Sequence, residues 1–154
     1  MRSLVLLAML LLVPAAGWSC FGPKLYIAAD DSPAQQALYA LVTIYIREKT
    51  GVESELVSRE AGQVGDLIRA DRADLEVGTG VVPETAVFRV ADQAWLLSGS
   101  RPLEDLQFSL VPKALKRLEQ RLTGELLEQL IARVAAGEPP LAAARDLLRR
   151  QDWI

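Results

Sequence analysis

The sequence predicts an α/β fold, a single three-layer α/β/α lobe whose mainly parallel sheet lies in the first half and whose later helices pack over it. Three observations carry this expectation. Over residues 24–80, short apolar runs alternate with amphipathic stretches in the order strand, helix, strand, helix, strand, a spacing that implies parallel strands with right-handed crossovers. Two closely spaced strand-like runs follow over residues 85–98. From residue 111 onward, leucine and alanine recur at helical spacing through three successive segments.

The apolar run 24–29 (KLYIAA) reads as a strand closed by Asp30, Asp31 and Ser32. Ser32 suits an N-cap, Pro33 suits the first helical position, and Gln35 completes an S-x-x-Q capping box. The helix is expected from residue 33 to about 49 with a stop at Gly51. Ala34, Ala37, Leu38, Leu41, Ile44 and Tyr45 give it a broad apolar face for packing on a sheet. Residues 52–58 (VESELVS) form a second strand, polar enough for a place near an edge. Glu60, Ala61 and Gly62 then turn into a short helix over 63–72, with Val64, Leu67 and Ile68 facing inward. The third strand, 74–77, ends in Gly78, Thr79 and Gly80.

Residues 85–91 and 94–98 read as two strands around Asp92 and Gln93, with a turn over 99–102. The remainder is helical over 111–122, 123–136 and 140–150. Leu115, Leu118 and Leu122 form one apolar stripe, Leu126, Leu127, Leu130, Ile131 and Val134 a second, and Leu141, Ala144, Leu147 and Leu148 a third. These stripes are expected to be core.

Residues 1–19 have the charged, apolar, small-residue order of a secretory leader: Arg2, an apolar run over 4–13, then Pro14, Ala15, Ala16, Gly17, Trp18 and Ser19. The run is well short of the roughly twenty residues a spanning helix needs. Residues 20–23 would be a tether and 24–154 one domain, working in a periplasmic or other extracytoplasmic space. The Gly17-x-Ser19-Cys20 junction resembles the lipobox of bacterial lipoproteins, which implies a lipid on the Cys20 thiol and a hold on the membrane. Plain secretion with one leftover thiol is the other reading.

Composition narrows the function classes. The net charge of −3 argues against a nucleic-acid partner, which needs a basic surface to neutralise phosphates. One cysteine excludes an internal disulfide, and the absence of histidine removes histidine triads and the usual zinc sites. No spacing points to carboxylate-only or serine–lysine catalysis. The expectation is a binding protein rather than an enzyme, with no cofactor and no metal.

The stretch KLYIAADDSPAQQALYALVTIYIREKTGVESELVSREAGQVGDLIRADRADLEVGTG, residues 24–80, resembles the first lobe of type II periplasmic substrate-binding proteins. The likeness is nearest to the glycine betaine and choline group that serves ABC transporters. It lies in the order of a short strand, a polar loop, a long helix ending as at Thr50-Gly51, a strand, a short helix and a segment like Ala73-Asp74-Leu75. Residues 110–154 look like that group's closing helices, with Ala144-Arg145, Leu148 and Trp153-Ile154 in comparable places. The resemblance implies a type II fold, a small polar or cationic solute such as a betaine, and an ABC transporter permease as partner. Residues 81–107, which lie between the two matching parts, are too few for a second lobe. The alternative is a single-lobe module that serves protein–protein interaction or an accessory role at the envelope.

Ligands of such sheets sit beyond the carboxyl ends of the strands. The candidates there are Asp30, Asp31 and Ser32, suited to a cation or simply to capping the helix. Glu60 with Gly62, and Gly78, Thr79 and Gly80, offer backbone groups at the next two strand ends or are plain turns. Trp95 is either one face of an aromatic cage for a quaternary ammonium or a core residue, and Tyr26 joins it only if its strand faces outward.

Overall fold

A computed structural model describes residues 22–154. The leader and Cys20 lie outside the described residues. In chain order the elements are β1 (Lys24–Ala29), α1 (Pro33–Thr50), β2 (Glu53–Ser58), α2 (Asp66–Arg69), β3 (Leu75–Thr79), β4 (Phe88–Val90), β5 (Ala94–Ser98), α3 (Arg101–Glu104), a 3-10 turn (Leu106–Phe108), α4 (Val111–Arg121), α5 (Gly124–Ala135) and α6 (Pro140–Arg150).

Alternation along β1 sets the two faces of the sheet. Leu25 and Ile27 are buried while Tyr26 between them is exposed, because successive strand side chains point to opposite sides. The strand order is β2-β1-β3-β5-β4. β1 pairs in parallel with β2 and with β3, whereas β3–β5 and β5–β4 are antiparallel. The sheet is therefore evenly mixed rather than mainly parallel. The 85–98 hairpin joins the edge of β3 and extends the sheet instead of standing apart from it.

The helices pack unequally. α1 lies on the face of Leu25, Ile27, Leu75, Val77 and Leu96, and α4, α5 and α6 close around it. This explains why α1 buries Ala40, Val42 and Ile46 besides the expected stripe: a helix enclosed on all sides needs apolar residues around most of its circumference. The opposite face carries only the single turn of α2, so the second helical layer is far thinner than expected. The predicted helix over 63–72 shrinks to four residues because Gly62 and Gly65 adopt left-handed conformations ahead of it and Asp71 does so after it. Val64 is exposed in consequence.

α1 ends at Gly51, whose φ of 75° lets its N–H reach the Arg47 carbonyl. Gly51→Ala is expected to cost about 1–2 kcal/mol, since a Cβ disfavours the left-handed region. A thermal melt unchanged by that substitution would contradict this account of the stop. Among the described residues no helix is long and apolar enough to cross a membrane.

Candidate functional site

In the β1–β2 register Ala29 stands opposite Ser58, so the chain leaves both strands side by side. Residues 30–32 and 58–61 thereby enclose an open hollow of about 510 Å³ lined by Asp30, Asp31, Ser32, Ser58, Arg59, Glu60 and Ala61. The hollow lies beyond the carboxyl ends of two parallel strands, where α/β sheets place ligands.

Beneath it lies a buried polar cluster. Arg59 continues β2 by donating its N–H to the Ala29 carbonyl, and its side chain is 1% exposed. Its Nη2 donates to Gln35 Oε1 at 2.8 Å and to the Val77 carbonyl at 3.0 Å. The guanidinium sits 3.4 Å from Glu76 Oε1 and 3.9 Å from Asp30 Oδ2. Glu76 is fully buried, and its Oε1 also accepts the Gly65 N–H at 2.7 Å. Burial pushes the Glu76 carboxyl above its ordinary value, while the Gly65 N–H and the Arg59 charge oppose that rise. Arg59 thus ties the ends of β1, β2 and β3 to the start of α1.

The capping box takes a different form from the expected one. Ser32 is the N-cap by position, but its side chain caps no helix N–H. Its hydroxyl and amide both donate to Asp30 Oδ1. Gln35 does reach back, but past Ser32: its Oε1 accepts the Asp30 N–H at 3.0 Å and its Nε2 donates to Asp30 Oδ2 at 2.7 Å. Asp30 is therefore held from several sides as part of the scaffold. Asp31 is exposed and makes no hydrogen bond or ion pair among the described residues. Glu60 is exposed, and among the described residues its carboxylate accepts only from Gln63 Nε2, at 3.1 Å. Asp31 and Glu60 are the carboxylates presented to solvent.

The remaining candidates lie elsewhere. Gly62 stands outside the lining of the hollow. Gly78 and Thr79 are paired with Trp95 and Ala94 in the β3–β5 ladder, and the Gly80 N–H donates to the Gln93 carbonyl. The hairpin that joins β3 thus takes up the groups expected to face a ligand. Trp95 is 4% exposed, with its indole packed on Gly78, away from the hollow. Tyr26 does face outward, but it borders a groove with Gly22, Lys24 and Arg101 at the other end of β1. Among the described residues the hollow has no aromatic wall.

Sequence reading missed Arg59 and Glu76. A charged residue directly after a strand, and an acid in the middle of the otherwise apolar run LEVG, were the available signals. Chemically, the site offers two solvent-facing carboxylates above the buried Arg59–Glu76 ion pair, with the Arg59 charge directed inward. It suits electrostatic and hydrogen-bonded capture of a positively charged group. Among the described residues no set of three His, Cys, Asp or Glu side chains is placed to share a metal ion.

Fold and site together define a mixed α/β protein with an open five-stranded sheet and an acidic hollow at the ends of its parallel strands. No family model matches the chain, and no curated protein or solved structure shows significant similarity to it.

Proposed function

We propose that the protein is an extracytoplasmic solute-binding protein of one lobe, which takes a small polar solute through a protonated amine at the hollow. The observation that carries this reading is the convergence of Asp31 and Glu60 on one opening above the Arg59 cluster. Kinship with the binding proteins of ABC importers, and a permease as partner, rest on the sequence resemblance over residues 24–80 and on the β1-α1-β2-α2-β3 order. A lipid at Cys20 would keep the protein at the envelope. The lining favours ammonium groups that donate hydrogen bonds to carboxylates over a quaternary ammonium, because none of its described residues is aromatic and able to offer cation–π contact.

Matched pairs test this: ethanolamine against choline, and glycine against glycine betaine. The amine of each pair is expected to raise the melting temperature, since a ligand that binds only the folded state stabilises it. Its methylated partner should leave the melt unchanged. Asp31→Asn and Glu60→Gln are each expected to weaken binding about tenfold through loss of a charge-assisted hydrogen bond. Equal shifts from both members of each pair would contradict the carboxylate reading.

A second reading is favoured by the openness of the hollow, which would bury little of a free solute. On that reading Asp31 and Glu60 receive a lysine or arginine side chain of another protein, and the lobe acts as an interaction module. Silence of every small amine, together with tight binding of a lysine-rich peptide lost in Asp31→Asn, would select it.

A further inference from the structure

The end of the sheet opposite the hollow has a different surface chemistry. Register fixes what gathers there. Lys24 stands opposite Glu53 just beyond the end of α1, while Ser98 pairs with Leu75 and Leu75 with Ile27. The Gly99 N–H donates to the Asp74 carbonyl, and the Asp74 N–H to that of Tyr26. The start of β1, the end of α1 and the segment after β5 therefore share this end. Gly22 lies there too, beside Lys24 and Arg101.

The segment 101–110 is anchored by buried Pro102 and Phe108. Arg101 is held by Asp74 at 3.0 Å and stacks over the Phe108 ring at 5.3 Å. From this anchored segment Leu103, Leu106 and Leu110 project with exposures of 54%, 88% and 54%. Leu110 also lines a groove of about 190 Å³ with Lys49, Lys113, Ala114 and Arg117. Lys113 and Arg117 lie one turn apart on α4, and the positive end of that helix opens at the same groove. Lys49 lies 5.8 Å from the Tyr45 ring. Among the described residues none of these three cations pairs with a carboxylate. The acids of the segment 101–110 are Glu104 and Asp105, and Asp105 is engaged by Gln107 Nε2 at 2.6 Å.

We infer that this end is a docking surface for an anionic lipid bilayer. Leu103, Leu106 and Leu110 enter the boundary between headgroups and acyl chains, and Lys49, Lys113 and Arg117 meet lipid phosphates. Exposed leucines beside unpaired cations fit a charged membrane surface, which rewards both features. The surface deepens the envelope reading: it directs the acidic hollow away from the bilayer, into the compartment where a solute or partner arrives.

The test uses the chain from Cys20 with Cys20→Ser, which keeps every described member of the buried core, from Leu25 to Trp153. It is sedimented with phosphatidylcholine vesicles that contain, or lack, phosphatidylglycerol as a third of the lipid. Binding is expected only with phosphatidylglycerol and is expected to fall as salt screens the charges. Lys113→Glu with Lys49→Glu should weaken it about thirtyfold or more, and Leu106→Asp should weaken it as well. Arg89→Glu with Arg121→Glu adds the same charge toward the other end, where Gly124 meets the Gln93 side chain, and should bind as the parent does. Unchanged thermal melts exclude unfolding as the cause of any loss. No binding, equal binding to both vesicle types, or equal loss in the two double variants would overturn the surface. The mass of the full-length protein extracted from membranes separately reports a lipid on Cys20, so failure of the tether and failure of the docking surface are distinguishable.

Discussion

Arg59→Met is expected to destabilise the folded chain by about 3–5 kcal/mol, the scale observed when one partner of a buried ion pair is removed. Methionine fills most of the aliphatic volume, so the loss reports the charge and its hydrogen bonds. Glu76, fully buried, would lose its cation, and the Val77 carbonyl and Gln35 Oε1 would lose a donor. Arg59→Met with Glu76→Leu should recover most of the loss, because paired apolar replacement avoids leaving one charge uncompensated.

The pH dependence has a definite sign. Glu76 has a raised pKa in the native state, so the native protein holds that proton more tightly than the unfolded chain does. Its contribution to stability is therefore greatest at low pH and is lost as pH rises through the raised value. Arg59→Met removes an opposing charge and raises the Glu76 pKa further. The deficit of the variant should then be largest near neutral pH and should shrink as Glu76 takes up its proton. Urea denaturation of both proteins across that range measures it, and a deficit that grows in acid would rule out the pairing as the source.

Gly78→Ala is expected to cost about 3 kcal/mol, the upper end of ordinary overpacking. Gly78 and Trp95 are register partners in the β3–β5 ladder, and a Cβ on Gly78 would overlap the carbons of the indole's six-membered ring. Trp95 is itself buried, so the ring cannot yield to the methyl by moving into solvent. Gly78→Ala with Trp95→Val should regain much of the stability, as a smaller side chain clears the methyl. An additive double variant would mean that the two residues are not coupled in this way.

The fold was legible in the sequence wherever local signals agreed with the tertiary arrangement. β1, α1 with its Pro33 start and Gly51 stop, the edge position of β2 and the three closing helices all carry periodicity or caps that short-range physics determines. Thr123 illustrates this: its hydroxyl accepts the Leu126 N–H at the start of α5. Three features depended on distant partners. The short α2 reflects left-handed Gly62 and Gly65, the latter held through its N–H by Glu76 in β3, within a stretch whose apolar spacing alone suggested a longer helix. The antiparallel addition of β5 to β3 is a choice of sheet edge that no residue in 85–98 announces. The α3 turn at Arg101–Glu104 is fixed by Asp74, which is 27 residues earlier in the chain.

The site divides along the same line. Asp30, Asp31, Ser32 and Glu60 were visible as polar residues at strand ends, and the β1–β2 register brings them together. Arg59 and Glu76 became meaningful only once three strands were aligned, because each supplies the other's burial compensation. Trp95 was ambiguous between cage and core until its pairing with Gly78 was known.

The central claim is that the hollow captures a protonated amine. Its most direct test is a titration of the isotopically labelled protein with ethanolamine, followed residue by residue in amide NMR spectra. The account predicts saturable shifts confined to Asp31, Ser32, Glu60, Ala61 and their neighbours, and no such shifts with choline or in Asp31→Asn. Shifts absent from that loop pair, or centred on Trp95 or the Lys113 groove instead, would contradict it.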